Sequence, residues 1–160
     1  MVKYFIFSIS IAFISWIVGI IINSILVKTA FYSKHLSNIV IIKNRNLSNK
    51  IGLGSFKWII QNSFFKYFNP KLSIKKRIKL SELDNLRQEM VIAEIGHLIA
   101  FCFVAVFVLI KVFNGELLFA LTIMIVNILM NLYPSLLQQE NKTRIDDLKN
   151  KHVLKPTAQV

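Results

Sequence analysis

The sequence predicts an all-α integral membrane protein with about three transmembrane helices and an interfacial or re-entrant amphipathic segment. Three observations carry that reading. Apolar stretches at about 4–27, 91–110 and 116–137 are each long enough to cross a hydrocarbon core of ~30 Å. Hydrophobic residues make up 54% of the 160-residue chain, with 13 Phe against five Gly, too apolar and too clustered for an ordinary soluble domain. The charge, +12 from 20 Lys and Arg against eight Asp and Glu, is gathered between and after the apolar stretches. A single membrane domain, 1–160, follows from the length.

Taken in order, YFIFSISIAFISWIVGIIINSILV (4–27) is uncharged throughout and preceded only by Lys3. It is longer than a signal-peptide core, and Val27-Lys28-Thr29-Ala30 makes a poor cleavage site, so it reads as an uncleaved anchor. Residues 28–90 form a basic cytoplasmic or interfacial segment holding 13 of the 20 Lys and Arg, interleaved with Phe56, Trp58, Phe64, Phe65, Tyr67 and Phe68. The run from Gly52 to Pro70 is apolar but broken by Lys57 and Lys66. Lysine beside Trp and Tyr suits a headgroup layer, so residues 52–68 are expected to lie in the interface or dip into it. Asn69-Pro70 ends that run, and a basic patch, KLSIKKRIKL, follows. Ser81 with acidic residues behind it reads as a helix N-terminus leading into the second span.

The second span, about 91–110, is followed by a short turn at Lys111, Asn114 and Gly115. The third, about 116–137, contains Pro134, which is expected to kink it and free the carbonyl of Met130. A polar tail, 138–160, is expected to be helical to about Lys151. Of the basic residues, 18 fall in 28–90 and the tail, while only Lys3 and Lys111 fall on the opposite side. The positive-inside rule then puts the C-terminus in the cytoplasm and the N-terminus outside, in the cytoplasmic (inner) membrane.

Polar residues interrupt these spans at two places. Glu94 and His97 lie one turn apart on one face. Asn127, Asn131, Gln138, Asn141 and Arg144 follow one another at helical steps. The second span enters where the third leaves, and their short connection makes them antiparallel neighbours. The two stripes are therefore expected to meet near the cytoplasmic surface, forming a site with a carboxylate, an imidazole, amides and a guanidinium. Plainer readings stay open: a Glu94–Arg144 structural ion pair, a packing role for His97, and interhelical glue for Asn127 and Asn131. Cys102 allows no internal disulfide; it reads as packing, with a Cys–His arrangement with His97 as the alternative.

The pattern Ala93-Glu94-x-x-His97, then Asn131, Pro134, Gln138, Asn141 and Arg144, resembles the glycosyl-4,4'-diaponeurosporenoate acyltransferases, small membrane enzymes of carotenoid biosynthesis of the staphyloxanthin type. The likeness covers roughly residues 50–150 and takes in the aromatic and basic stretch from Gly54 to Phe68. It implies transfer of a fatty acyl group from a thioester, acyl-CoA or acyl-ACP, to a sugar hydroxyl of a membrane glycolipid or glycosylated carotenoid. His97 would be the general base with Glu94 beside it. Asn131, Gln138 and Asn141 would bind substrate and the developing oxyanion. Arg144 would hold phosphates of the donor or an acidic carrier.

The rival is a non-enzymatic membrane subunit or scaffold using the polar faces for assembly. No tightly bound cofactor and no metal is expected: there is no glycine-rich phosphate loop, and His35, His97 and His152 are far apart. The basic charge is assigned to membrane lipids and not to nucleic acid, because the aromatics serve better as a headgroup belt. A homo-oligomer is expected, to help bury Glu94 and the amides.

Overall fold

In the computed structural model, the residues described are 1–42, 45–63 and 80–153. Among them the chain is helical and forms no strand. The elements are α1 (Val2–Leu26), α2 (Ala30–Lys34), a 3-10 turn at Leu36–Asn38, α3 (Arg45–Lys50), α4 (Leu53–Asn62), α5 (Leu80–Phe113), α6 (Leu117–Asn127), a π-helical turn at Ile128–Leu132, and α7 (Tyr133–Val153). Three helices are long and apolar enough to cross a membrane: Val2–Leu26, Glu82–Phe113, and Leu117–Lys151, which runs through α6, the π turn and α7. The protein is an all-α membrane protein, as its apolar stretches lead one to expect.

Contacts along the helices fix their directions. Tyr4 stacks on Phe119, Ile11 packs with Val104 and Val108, and Asn23 reaches Ile92. Thus α1 runs antiparallel to α5 and parallel to α6. Ile17, Ile20, Ile21, Leu109, Leu117 and Leu121 point outward, while Ser8, Ser15, Asn23, Asn127, Asn131 and Ser135 are buried. That inside-out distribution suits a lipid solvent, where burying apolar groups between helices gains little and packing and hydrogen bonding hold the bundle. The α1–α5 crossing is so close that a Cβ on Gly19 would lie 2.5 Å from the Gly96 carbonyl oxygen. Only glycine permits that approach.

The α5–α6 turn forms where the sequence placed it. Gly115 takes φ +76°, and Lys111 pairs with Glu116 at 2.8 Å while lying over the Phe119 ring. The disturbance expected at Pro134 is a π turn immediately before it. The Met130 carbonyl, deprived of a proline N–H, accepts instead from Trp16 Nε1–H at 3.3 Å.

At the opposite end, Thr29 Oγ1 accepts from the Tyr32 N–H at 3.2 Å and caps α2. This folds Tyr32 back onto Val91 and Ile95. Residues 39–42 are strapped to α7: Gln139 Oε1 accepts from the N–H groups of Ile41 and Ile42 at 2.7 and 3.3 Å, and Gln139 Nε2 donates to the Ile42 carbonyl at 2.8 Å. The helix α4 packs Leu53 against Leu136 and Leu137, with Lys57 paired to Glu140 at 3.2 Å and Trp58 exposed. Arg87–Asp146 at 2.6 Å and a Lys149–Asp84 pair tie the polar ends of α5 and α7. Of the expected interfacial stretch 52–68, residues 64–68 with Phe64, Phe65, Tyr67 and Phe68 lie outside the described residues. So do Asn69, Pro70, residues 71–79 of the basic patch, the Ser81 and His152 side chains, and residues 154–160.

Candidate functional site

Two polar clusters, joined through α5 and α7, occupy the bundle interior. The deeper one is built on α1, α5 and the π turn. The π turn swings Asn131 inward, fully buried. Asn131 Oδ1 accepts from Trp16 Nε1–H at 2.9 Å, and its Nδ2 donates to Ser15 Oγ at 3.2 Å and to Asn127 Oδ1 at 2.8 Å. Asn127 Nδ2 in turn donates to the Phe101 carbonyl at 3.1 Å. Both amide hydrogens of Asn131 are therefore committed inside the protein, and the residue acts by holding its neighbours. His97 adjoins the Asn131 side chain and meets the edge of Trp16 in a T-shaped contact, ring centroids 6.2 Å apart. Its imidazole is half-buried.

The second cluster lies one helical turn nearer the α5 start. Glu94 is fully buried, and its Oε2 accepts from Lys142 Nζ at 2.6 Å. Lys142 Nζ also donates to the Ile39 carbonyl at 2.7 Å. Ser135 Oγ donates to the Glu94 carbonyl at 3.1 Å, and Asn23 Nδ2 to the Ile92 carbonyl at 2.7 Å. Tyr32 closes the cluster from α2. Burial pushes its hydroxyl above the usual tyrosine range; the adjoining Asn23 side chain opposes this, and the Glu94 charge adds to it.

The two stripes anticipated in the sequence do meet, and Glu94, His97, Asn131 and Gln138 are turned into the bundle, His97 only in part. Asn141 is half-buried, and Arg144 is exposed on α7. The counter-charge of Glu94 is Lys142, not Arg144. Glu94 faces Lys142 while His97 faces Trp16 and Asn131, so the two do not form a direct pair. Cys102 is exposed on the outer surface of α5, away from the packed interior expected for it, and makes no dyad with His97. Sequence reasoning missed Ser15, Trp16, Asn23, Tyr32, Ser135 and Lys142. A tryptophan N–H and an asparagine within an apolar span were usable signals, because both need partners in lipid. Among the described residues, no group of His, Cys, Asp and Glu is placed to hold a metal ion.

Helices that carry their polar residues inward around a half-buried histidine define a small multi-helix membrane protein with an interior polar site. The chain belongs to the glycosyl-4,4'-diaponeurosporenoate acyltransferase family, which it matches over residues 28–151. No curated protein and no solved structure matches it. The matched stretch contains α5, the π turn and most of α7, with Glu94, His97, Asn131 and Lys142. The α1 residues Ser15, Trp16 and Asn23 lie before it, yet they complete both clusters.

Proposed function

We propose that the protein transfers a fatty acyl group from a thioester donor, acyl-CoA or acyl-ACP, to a sugar hydroxyl of a glycosylated carotenoid or related membrane glycolipid, with His97 as general base. The observation that carries this is the setting of His97. It is an imidazole half-buried in a membrane bundle, beside a buried amide, in a chain of an acyltransferase family. A sugar hydroxyl is a weak nucleophile, and a base that takes its proton during attack on the thioester carbonyl lowers the barrier. In this reading the ring nitrogen nearer Asn131 carries the proton and the other is the acceptor, the tautomer a general base needs. After collapse of the tetrahedral intermediate the thiolate leaves with the proton returned by His97, and the acyl ester remains on the sugar.

Gln138 and Asn141, one turn apart on α7, are the side chains assigned to the developing oxyanion, since the hydrogens of Asn131 are already engaged. Arg144, exposed on the same helix, suits contact with the phosphates of a soluble donor or an acidic carrier. The charge asymmetry supports placement in the cytoplasmic membrane with the C-terminus in the cytoplasm, where such donors are found.

The test is mass spectrometry of lipids and pigments from cells carrying the wild-type protein, His97→Ala, or no copy. Loss of one fatty acyl group from a glycosylated lipid in both altered strains supports the reading. An unchanged lipid profile would sink it. A second reading, a non-enzymatic membrane scaffold, draws on the same amide network, because Asn127 and Asn131 bond helices together. Under that reading the lipid profile stays unchanged and His97→Ala has no chemical consequence.

A further inference from the structure

The first half of α7 is tied to residues 39–57 at successive heights. Lys142 Nζ donates to the Ile39 carbonyl at 2.7 Å, and Gln139 bonds the backbone of Ile41 and Ile42. Glu140 pairs with Lys57 at 3.2 Å, and the Tyr133 hydroxyl donates to the Ile51 carbonyl at 2.5 Å. Ile39, then Ile41 and Ile42, then Ile51 thus sit at progressively deeper levels along α7. The helix α4 leads back from that tip, with Leu53 on Leu136 and Leu137 and Phe56 on the Tyr133 ring. Polar side chains and irregular backbone are costly in lipid unless paired, and here each supplies the other's partner.

Heights on the two sides of the bundle can be compared, because α1 and α7 both pack on α5. Gly19 meets Gly96 and Asn23 reaches Ile92 from α1, while Ser135 and Lys142 reach Glu94 from α7. Trp16 and Asn131, joined by a hydrogen bond, mark one common level. Lys28 lies twelve residues beyond Trp16, about 18 Å higher, whereas Tyr133 and the Ile51 tip lie two residues beyond Asn131, about 3 Å higher. Between those levels α1 turns Ile17, Ile20, Ile21 and Ile25 outward, 56–69% exposed. At the same heights the α7 side presents exposed Lys50, the partly exposed Lys57–Glu140 pair and Trp58. An isoleucine face suits acyl chains, while lysine beside tryptophan suits the headgroup layer. A flat interface serves one side and not the other.

We propose that α3, α4 and the adjoining face of α7 form a docking surface for phosphate-bearing lipid headgroups, which settle beside Lys50 and Trp58. On this side of the protein the cytoplasmic interface dips by about 10 Å or more relative to its level at α1, as bilayers do where a hydrophobic stretch is short. Charge complementarity selects the occupant: Lys50 is exposed, and Arg144, also exposed, follows Glu140 by one turn on the same face of α7. The inference does not depend on the acyltransferase reading. Where that reading holds, the dip brings the polar phase to about the height of His97, which adjoins Asn131, and a charged acyl donor has less hydrocarbon to cross.

The test uses the full chain in nanodiscs of phosphatidylcholine and phosphatidylglycerol. Lys50→Cys and Ile21→Cys, each in a Cys102→Ser background, are treated with a charged, membrane-impermeant maleimide. Both positions are exposed, so neither substitution disturbs packing. Ile21 lies nearer the Lys28 level than Lys50 does, so a flat interface would uncover Ile21→Cys first. With the dip, Lys50→Cys should react about 10-fold or more faster, because hydrocarbon suppresses the reactive thiolate. Equal protection of the two, or faster reaction of Ile21→Cys, overturns the proposal. The occupant is read from Trp58 fluorescence in a Trp16→Phe chain, with lipids carrying a nitroxide on the headgroup or near the chain end. Stronger quenching by the headgroup nitroxide is expected. Stronger quenching by the chain-end nitroxide overturns the headgroup surface even if Lys50→Cys reacts, since it leaves only a water-filled pocket.

Discussion

The Glu94 carboxylate meets the Lys142 ammonium at 2.6 Å, with side chains 0% and 2% exposed. Taking two charges out of water is costly, and what compensates is their mutual attraction and the extra bond from Lys142 to the Ile39 carbonyl. Removing one partner strands the other. Lys142→Met should destabilise the protein by about 3–5 kcal/mol, and the double variant Glu94→Gln/Lys142→Met should recover most of that loss. Denaturant unfolding in micelles measures both. Independent, additive effects of the two substitutions would show that the charges do not depend on each other.

Trp16 donates one N–H to Asn131 and to the Met130 carbonyl freed by Pro134. Trp16→Phe keeps the ring contact with His97 but removes that donor. A stability loss of about 1–2 kcal/mol is expected, in line with interhelical hydrogen bonds in membranes. Because Asn131 would then hold the imidazole less firmly, kcat should fall about 10-fold while the KM for the acyl donor stays within about twofold. Steady-state acyl transfer reads this directly.

Gly19 and Gly54 form a matched contrast. A side chain at Gly19 strikes the Gly96 carbonyl, whereas one at Gly54 meets nothing within 4 Å. Gly19→Val should push α1 and α5 apart and cost about 1–3 kcal/mol or prevent folding. Gly54→Ala, within helix α4, should be neutral or stabilising by up to about 1 kcal/mol. Thermal unfolding of the two variants separates a packing contact from a general intolerance of change.

Gln139 holds residues 39–42 against α7 by accepting from two backbone N–H groups and donating to one carbonyl. Gln139→Leu leaves those backbone groups without their partner. Hydrogen exchange at Ile41 and Ile42 should accelerate by about 10-fold or more, as expected when a local tether is cut. Exchange in the centre of α5 should not change.

The membrane architecture was legible because its signal is length: long apolar stretches admit few other solutions, and Pro134 identified the carbonyl that needs a new donor. The site was legible along single helices and illegible across them. Glu94, His97, Asn131 and Gln138 share recognisable spacings, and the short turn at Gly115 made α5 and α6 neighbours. Arg144 was a misleading continuation. Two successive three-residue steps after Gln138 carry the stripe about 120° around the helix, which turns Arg144 to the surface, while Lys142, four residues from Gln138, stays inside. The partners of Trp16, Asn23 and Tyr32 were invisible for a different reason, although the first two signalled that they needed some. Nothing in the spacing of α1 states which helix it will lie against, and the register depends on the Gly19–Gly96 contact. The capping of α2 by Thr29, which turns Tyr32 inward, is likewise a tertiary outcome.

The most direct measurement is single-turnover acyl transfer by purified protein in nanodiscs, comparing the wild type with His97→Ala at matched folding. With His97 as general base, the wild type should acylate a glycosylated carotenoid from an acyl thioester. His97→Ala should then be slower by about 100-fold or more, in the range that general-base catalysis contributes. Near-normal transfer by His97→Ala would contradict that assignment.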